Sequence, residues 1–167
     1  FYTQIRNAPY LFSGDRSNSP TITSRGLDAS LRYSTGAGYV QANYTYAKVQ
    51  LDGAQIGTTD YYWGRPMGHI FGLSAAFEVA DGLTRGGTAD IALNNNEGAT
   101  TLPGYGGLNV FASYTPKQYD NVEIRLDVRT VFDQTYTRRS ADGMGFGPVT
   151  PLTEPGRTIA LMVTTKF

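Results

Sequence analysis

Three groups of side chains in this sequence could do chemistry: the single histidine, His69; the aromatic run Tyr61-Tyr62-Trp63 followed by Arg65; and the adjacent pair Arg138 and Arg139. A lone imidazole can ligate an iron centre, although a histidine where a loop becomes a strand is more often an ordinary polar residue. The aromatic run could stack on a flat ligand while Arg65 clamps it, and rings at such a height equally suit a membrane interface. Two arginines could hold carboxylates through charge-assisted hydrogen bonds; a solvated loop charge is the plainer reading. Acyl-transfer chemistry needs a nucleophile activated around a histidine. With one His, no Cys and no Gly-x-Ser-x-Gly, the chain is not read as an enzyme.

Composition excludes further classes. Lys+Arg 14 against Asp+Glu 14 leaves no basic excess for a nucleic-acid partner. Without Cys there is neither a disulfide framework nor a thiolate metal site. No run of about 18 apolar residues is present, so a membrane role would require a barrel of strands.

The elements that must position these groups are strands. From Val122 to Phe132 alternate residues read Val122, Ile124, Leu126, Val128, Thr130, Phe132 on one side and Glu123, Arg125, Asp127, Arg129 on the other. Period-two alternation puts the two sets on opposite faces of a strand. Seven further stretches alternate in the same way: Phe1 to Arg6, Thr21 to Tyr33, Val40 to Ala47, His69 to Val79, Leu83 to Asn94, Tyr105 to Thr115 and Thr158 to Phe167. Asp28 and Arg32 fall on the polar side of the second of them. The ladder of charges from Glu123 to Arg129 most simply forms cross-strand ion pairs.

Connections alternate in length. Those at 7 to 21, 51 to 68, 94 to 104 and 134 to 156 are long, and those at 34 to 38, 80 to 82 and 116 to 121 are short. One rim therefore carries all the long loops, the asymmetry of outer-membrane barrels. Tyr33, Phe77 and Tyr114 near the short turns, with Phe167 at the chain end, would form an aromatic girdle on the periplasmic side. The expected fold class is all-β, a transmembrane antiparallel β-barrel. Periodicity alone leaves two barrels open: a self-contained eight-stranded one with a structural or adhesive role, or part of a wide barrel of about 22 strands with a plugged lumen.

Two phrases carry a resemblance. Val128-Arg-Thr-Val-Phe-Asp-Gln-Thr-Tyr136, then Pro151-Leu-Thr-Glu-Pro-Gly-Arg-Thr158 and a closing strand ending in Phe167, resemble the C-terminal end of TonB-dependent outer-membrane transporters. The family's usual phrase there is Asn-Leu-Phe-Asp-x-x-Tyr, so Thr130 stands where Asn is commonest. Arg25-Gly26-Leu27-Asp28 resembles the family's Gly-x-Glu at the start of a strand, with Asp for Glu. Residues 1–167 would then be the C-terminal segment of one barrel domain, the last eight of about 22 strands. The resemblance implies a missing N-terminal part with a plug and the earlier strands, lipid around the barrel, the TonB complex and the barrel assembly machinery as partners, and residence in the bacterial outer membrane. It implies no resident cofactor. The cargo would be an iron complex, and Thr137-Arg-Arg-Ser-Ala-Asp-Gly with Val149-Thr-Pro-Leu-Thr-Glu-Pro-Gly-Arg157 resembles the haem and haemoglobin receptor branch more than the ferric siderophore one. On that reading Tyr61, Tyr62, Trp63, Arg65, His69, Arg138 and Arg139 are the ligand-binding candidates, with His69 a candidate for the haem iron. Asp28, Arg32, Glu123, Arg125, Asp127 and Arg129 would face the lumen and plug, and Phe167 would be the assembly signal.

Overall fold

The computed structural model describes residues 1–7, 9–12, 15–18, 21–55, 68–96, 101–139 and 153–166. In chain order the strands are β1 (Tyr2–Ile5), β2 (Pro9–Phe12), β3 (Asp15–Asn18), β4 (Ile22–Thr35), β5 (Gly38–Leu51), β6 (Ala54–Gln55), β7 (Gly68–Ala80), β8 (Leu83–Ala92), β9 (Tyr105–Tyr114), β10 (Val122–Arg129) and β11 (Thr158–Thr165). The main sheet runs β1-β4-β5-β7-β8-β9-β10-β11, all antiparallel. These are the eight stretches whose alternation is legible in the sequence. The long connections hold extra pairing that the alternation does not reveal: β2 with β3 as a separate hairpin, and β6 folded back on β5.

Register fixes which side chains share a face. Leu31 lies opposite Ala42, Tyr44 opposite Phe71, Leu73 opposite Ala89, Val110 opposite Val128 and Leu126 opposite Leu161. The apolar sides of the strands therefore merge into one continuous surface. Nothing in the described structure covers it: Leu31 is 73% exposed and Leu161 70%, and the buried hydrophobics among the described residues are Ile22, Val49 and Ala92. A soluble sheet would lay such a face on a core. No helix among the described residues is long and apolar enough to cross a membrane. Lipid is the environment that this bare apolar surface matches, with the ladders satisfying the backbone groups of the sheet interior.

One boundary differs from the sequence expectation. The alternation suggests a strand through Phe132, with Thr130 and Phe132 on the apolar face, yet β10 ends at Arg129. Thr130 has φ of 49° and Asp133 φ of 56°, so the backbone leaves the sheet in the left-handed region. Thr130 is buried, and its N–H donates to Asn109 Oδ1 at 2.9 Å. A β-branched residue is strained in this conformation, whereas Asn tolerates it, which gives a physical reason for the family's Asn at this place.

The orientation makes a stability prediction. Leu126→Arg puts a charge on the apolar face and should cost about 2–4 kcal/mol near the bilayer midplane. Arg125→Gln, on the polar face and partly solvated, should cost about 1 kcal/mol or less. Refolding titrations of the two variants in lipid, in the complete barrel, measure the difference; equal losses would contradict the assigned faces.

Candidate functional site

The polar sides of the strands build a second continuous surface. On β4 and β5, Arg32 Nη1 donates to Gln41 Oε1 (3.2 Å), Gln41 Nε2 to Asn43 Oδ1 (3.0 Å) and Ser30 Oγ to the same oxygen (2.8 Å). The Arg32 guanidinium also lies over the Tyr39 ring at 3.9 Å. Asp28 shares this face, opposite Thr45. On β8 and β9, Asn109 Nδ2 donates to Thr88 Oγ1 at 3.2 Å. Such hydrogen-bonded polar groups suit a wet lumen and not an acyl chain.

Glu123, Arg125, Asp127 and Arg129 occupy the same face on β10, but the ladder is not cross-strand. Arg125 Nε and Nη2 donate to Asp127 Oδ2 and Oδ1 at 2.8 and 2.9 Å, two residues along one strand. The neighbouring strands explain the difference. Arg125 is flanked by Ser113 and Met162, and Asp127 by Phe111 and Ala160, so no carboxylate or guanidinium faces either across the ladder. Arg125 instead stacks its guanidinium over Phe111 at 4.0 Å.

Beyond Arg129 the chain turns inward as an arm across β8 and β9. Val131 N–H donates to Leu108 O at 2.9 Å, and the Tyr136 ring stacks on Tyr105 with centroids 4.8 Å apart. The arm can lie this close because Gly107 has no side chain: a Cβ there would collide with the Tyr136 hydroxyl. A glycine in a strand interior is the mark of such an approach. The return of the chain is fixed by Glu154 N–H to Tyr136 O (2.7 Å), the Thr137–Thr153 bridge and Arg157 N–H to Asp133 Oδ1 (2.7 Å). The two phrases that carry the sequence resemblance thus meet as one joint, with Asp133 and Tyr136 from the first and Glu154 and Arg157 from the second.

The candidate ligand residues separate in space. Arg139 is only 7% exposed; its Nη2 donates to Leu93 O (2.9 Å) and Leu102 O (3.2 Å), bracing the arm from within. Arg138 bridges Glu154 (2.8 Å) and Asp90 (3.5 Å). Burial opposes its charge, but the two carboxylates prevail and hold its pKa above the ordinary guanidinium value. Tyr136 is likewise pushed up, chiefly by burial, and stays a neutral phenol. His69 is on the other face of the sheet, opposite Tyr46, with Nδ1 2.8 Å from the Tyr44 hydroxyl and the Tyr46 ring centroid 4.6 Å away. Counting by twos from Phe71 places it there, a sign the strand parity already carries. Tyr61, Tyr62, Trp63, Arg65 and Phe167 lie outside the described residues. Among the described residues no cluster of His, Asp and Glu could hold a metal.

Wall and arm enclose a recess of about 540 Å³ lined by Thr88, Asn109, Phe111, Arg125, Asp127 and Arg129 from the wall and by Arg138, Glu154 and Pro155 from the arm. Its opposed charges and hydrogen-bonding groups can dock a polar protein surface or steer a charged solute. They include no activated nucleophile.

Comparison with known proteins bears on what this wall belongs to. No family model matches the chain. It is 27% identical to the haem transporter BhuA of Brucella ovis over 178 residues, covering 100% of this chain and 27% of that protein, and equally to BhuA of Brucella suis biovar 1. The chain thus spans 27% of the length of these curated relatives. Among solved structures, the FrpB iron transporter of Neisseria meningitidis in its apoprotein form superposes with a TM-score of 0.76 at 18% identity, covering 99% of this chain and 28% of that one. The copper transporter OprC gives 0.72 at 18% identity, with the same coverage. The fold and its bare apolar face are those of a segment of an outer-membrane β-barrel. More particularly, the segment matches the barrel portion of TonB-dependent outer-membrane receptors.

The joint yields a coupling prediction. Gly107→Ala should destabilise by about 1–3 kcal/mol through overpacking against Tyr136. Tyr136→Phe removes the colliding oxygen, so the double variant should recover part of that loss. A double-mutant cycle on thermal unfolding of the complete barrel reads the interaction; strictly additive effects would contradict the close approach.

Proposed function

We infer that the protein to which this chain belongs is an outer-membrane uptake receptor for an iron complex, with haem favoured over a ferric siderophore, energised through TonB. The observation that carries this reading is the similarity to haem transporters over the whole chain, at 27% identity. The segment is proposed to be the C-terminal eight of about 22 strands. Its sheet order supports this: β1 and β11 stand at opposite ends and are not paired with one another in the described structure. A self-contained eight-stranded barrel would need that pair, because open strand edges are not tolerated in hydrocarbon. The companion strands and plug of the complete receptor would satisfy these edges and fill the lumen, where Asp28, Arg32, Glu123, Arg125, Asp127 and Arg129 would meet the plug.

For the cargo, the long-loop rim is the mouth. Tyr61, Tyr62, Trp63 and Arg65 offer stacking and charge to a planar anion, and Arg138 stands at the margin of the recess where propionates could approach. Arg139 and His69 serve this reading indirectly, the first by bracing the arm and the second within the outer aromatic band.

Growth of the source strain on haem as sole iron source tests the reading. Growth should be lost on deletion of the gene and equally when TonB is disabled. Normal haem growth in the deletion strain with lost growth on a ferric siderophore would reverse the ranking of cargoes. Unchanged growth on every iron source would overturn the uptake function.

A further inference from the structure

The ladder of β10 and β11 runs from Val122 with Thr165 to Arg129 with Thr158, and the arm is inserted beyond that last pair. It has a narrow neck. The Asp133 N–H donates to Thr130 O at 2.8 Å, closing a tight turn in which Thr130 and Asp133 both have positive φ. The Asp133 side chain then accepts the Arg157 N–H, and Gly156 permits the approach, since a Cβ there would stand 2.7 Å from Asp133 Oδ1. The ladder ends below this neck, so lifting the arm breaks no strand pair.

The far end of the arm grips the neighbouring connection. Ala92 ends β8 and Tyr105 begins β9, and the chain between them is closed at its base by two hydrogen bonds of 2.9 Å between Asn95 and Leu102. One nitrogen of Arg139, Nη2, donates to Leu93 O on the entering side and to Leu102 O on the returning side. The Arg139 N–H reaches the Tyr105 hydroxyl at 3.4 Å, and the Tyr105 ring is the one on which Tyr136 stacks. Asn95 in turn lies against Gly68, where β7 begins with φ of 69° and a Cβ would stand 3.0 Å from Asn95 Nδ2. Three long connections therefore meet at their bases through Arg139 and Asn95.

These contacts differ in kind from the ladder. A guanidinium on two carbonyls, one ring stack and Arg138 between Asp90 and Glu154 are discrete side-chain contacts, and such groups open locally at far less cost than a sheet interior. Thr130 works against the docked form. A β-branched residue at φ of 49° is strained, and strain of this sort persists only where surrounding contacts over-determine it. Opening the neck relieves it.

We propose that residues 130–139 and 153–157 form a hinged strap that couples the bases of the long connections, with the Thr130–Asp133 turn as hinge and Arg139 as the positioning residue that fastens it. Coupling of this kind is reciprocal. An event that orders the base at Asn95 and Leu102 also holds the strap, and one that frees the strap loosens that base. The device serves the long-loop rim whichever cargo passes, so it stands apart from the choice between haem and siderophore.

Hydrogen exchange of the complete receptor in bilayers reads the strap, because local opening sets the exchange rate. Arg139→Gln should speed exchange about tenfold or more at Asn95 and Leu102, through loss of the charge-assisted bonds to the two carbonyls. It should speed exchange comparably at Glu154 and Arg157, whose N–H groups are bonded to Tyr136 O and Asp133 Oδ1 and not to Arg139. Thr130→Asn relieves the strain and should slow exchange at all four positions. As a stabilising change it leaves folding intact, and it decides the coupling even where the glutamine variant does not assemble. Arg32→Gln, on the inward face of β4, should leave all four as in the parent. Faster exchange at Asn95 and Leu102 alone would reduce Arg139 to a local brace of one connection and overturn the strap. So would a Thr130→Asn variant whose Asn95 and Leu102 exchange as in the parent.

Discussion

Hydrocarbon offers a backbone amide no partner, and the rest of this structure follows from that constraint. Each unsatisfied N–H or C=O in a bilayer costs several kcal/mol, so a crossing segment that is not a helix must be part of a closed ladder. The antiparallel ladder satisfies the main chain and at the same time fixes the side-chain period at two. One periodicity therefore serves two solvents. Leu126 and Leu161 share the apolar face because Arg125 and Met162, one residue away, take the other.

The polar wall uses the freedom that this division leaves. No ladder restricts what stands on the inward face, so side chains there make a hydrogen-bonded layer over β4 and β5 and an in-strand ion pair on β10. Over β9 the face takes a whole segment of chain, because Gly107 leaves room for Tyr136. The arm is held over the wall by Asp133 on one side and Arg139 on the other.

The eight strands along the main sheet and the parity of their faces were legible in the sequence because they depend on period alone. The end of β10 was not, because Val131 and Phe132 continue the alternation in composition while the positive φ at Thr130 ends it in space. The hairpin of β2 and β3 and the short β6 carry too few residues for a period to declare itself. The direction of the Arg125 ion pair depends on what the neighbouring strands present, and register across a loop cannot be read from one strand. His69 shows the opposite case: its parity with Phe71 and Leu73 was in the sequence, and only its chemistry drew attention toward a ligand. Arg139 could be recognised as a basic residue of a loop, but not as one buried against the carbonyls of Leu93 and Leu102, since those contacts join residues far apart in the chain.

The central claim is that the apolar side of every strand touches lipid and the charged side faces the barrel interior. The absence of Cys allows single cysteines to be placed one at a time along this segment from Glu123 to Val128, in the complete receptor reconstituted in bilayers, with any Cys elsewhere in it replaced. A nitroxide at each position then reports collision with oxygen, which concentrates in hydrocarbon, and with a charged nickel chelate, which stays in water. The account predicts a strict two-residue rhythm, with oxygen favoured at Ile124, Leu126 and Val128 and depressed at Glu123, Arg125 and Asp127. A rhythm of the opposite phase, or none, would contradict it.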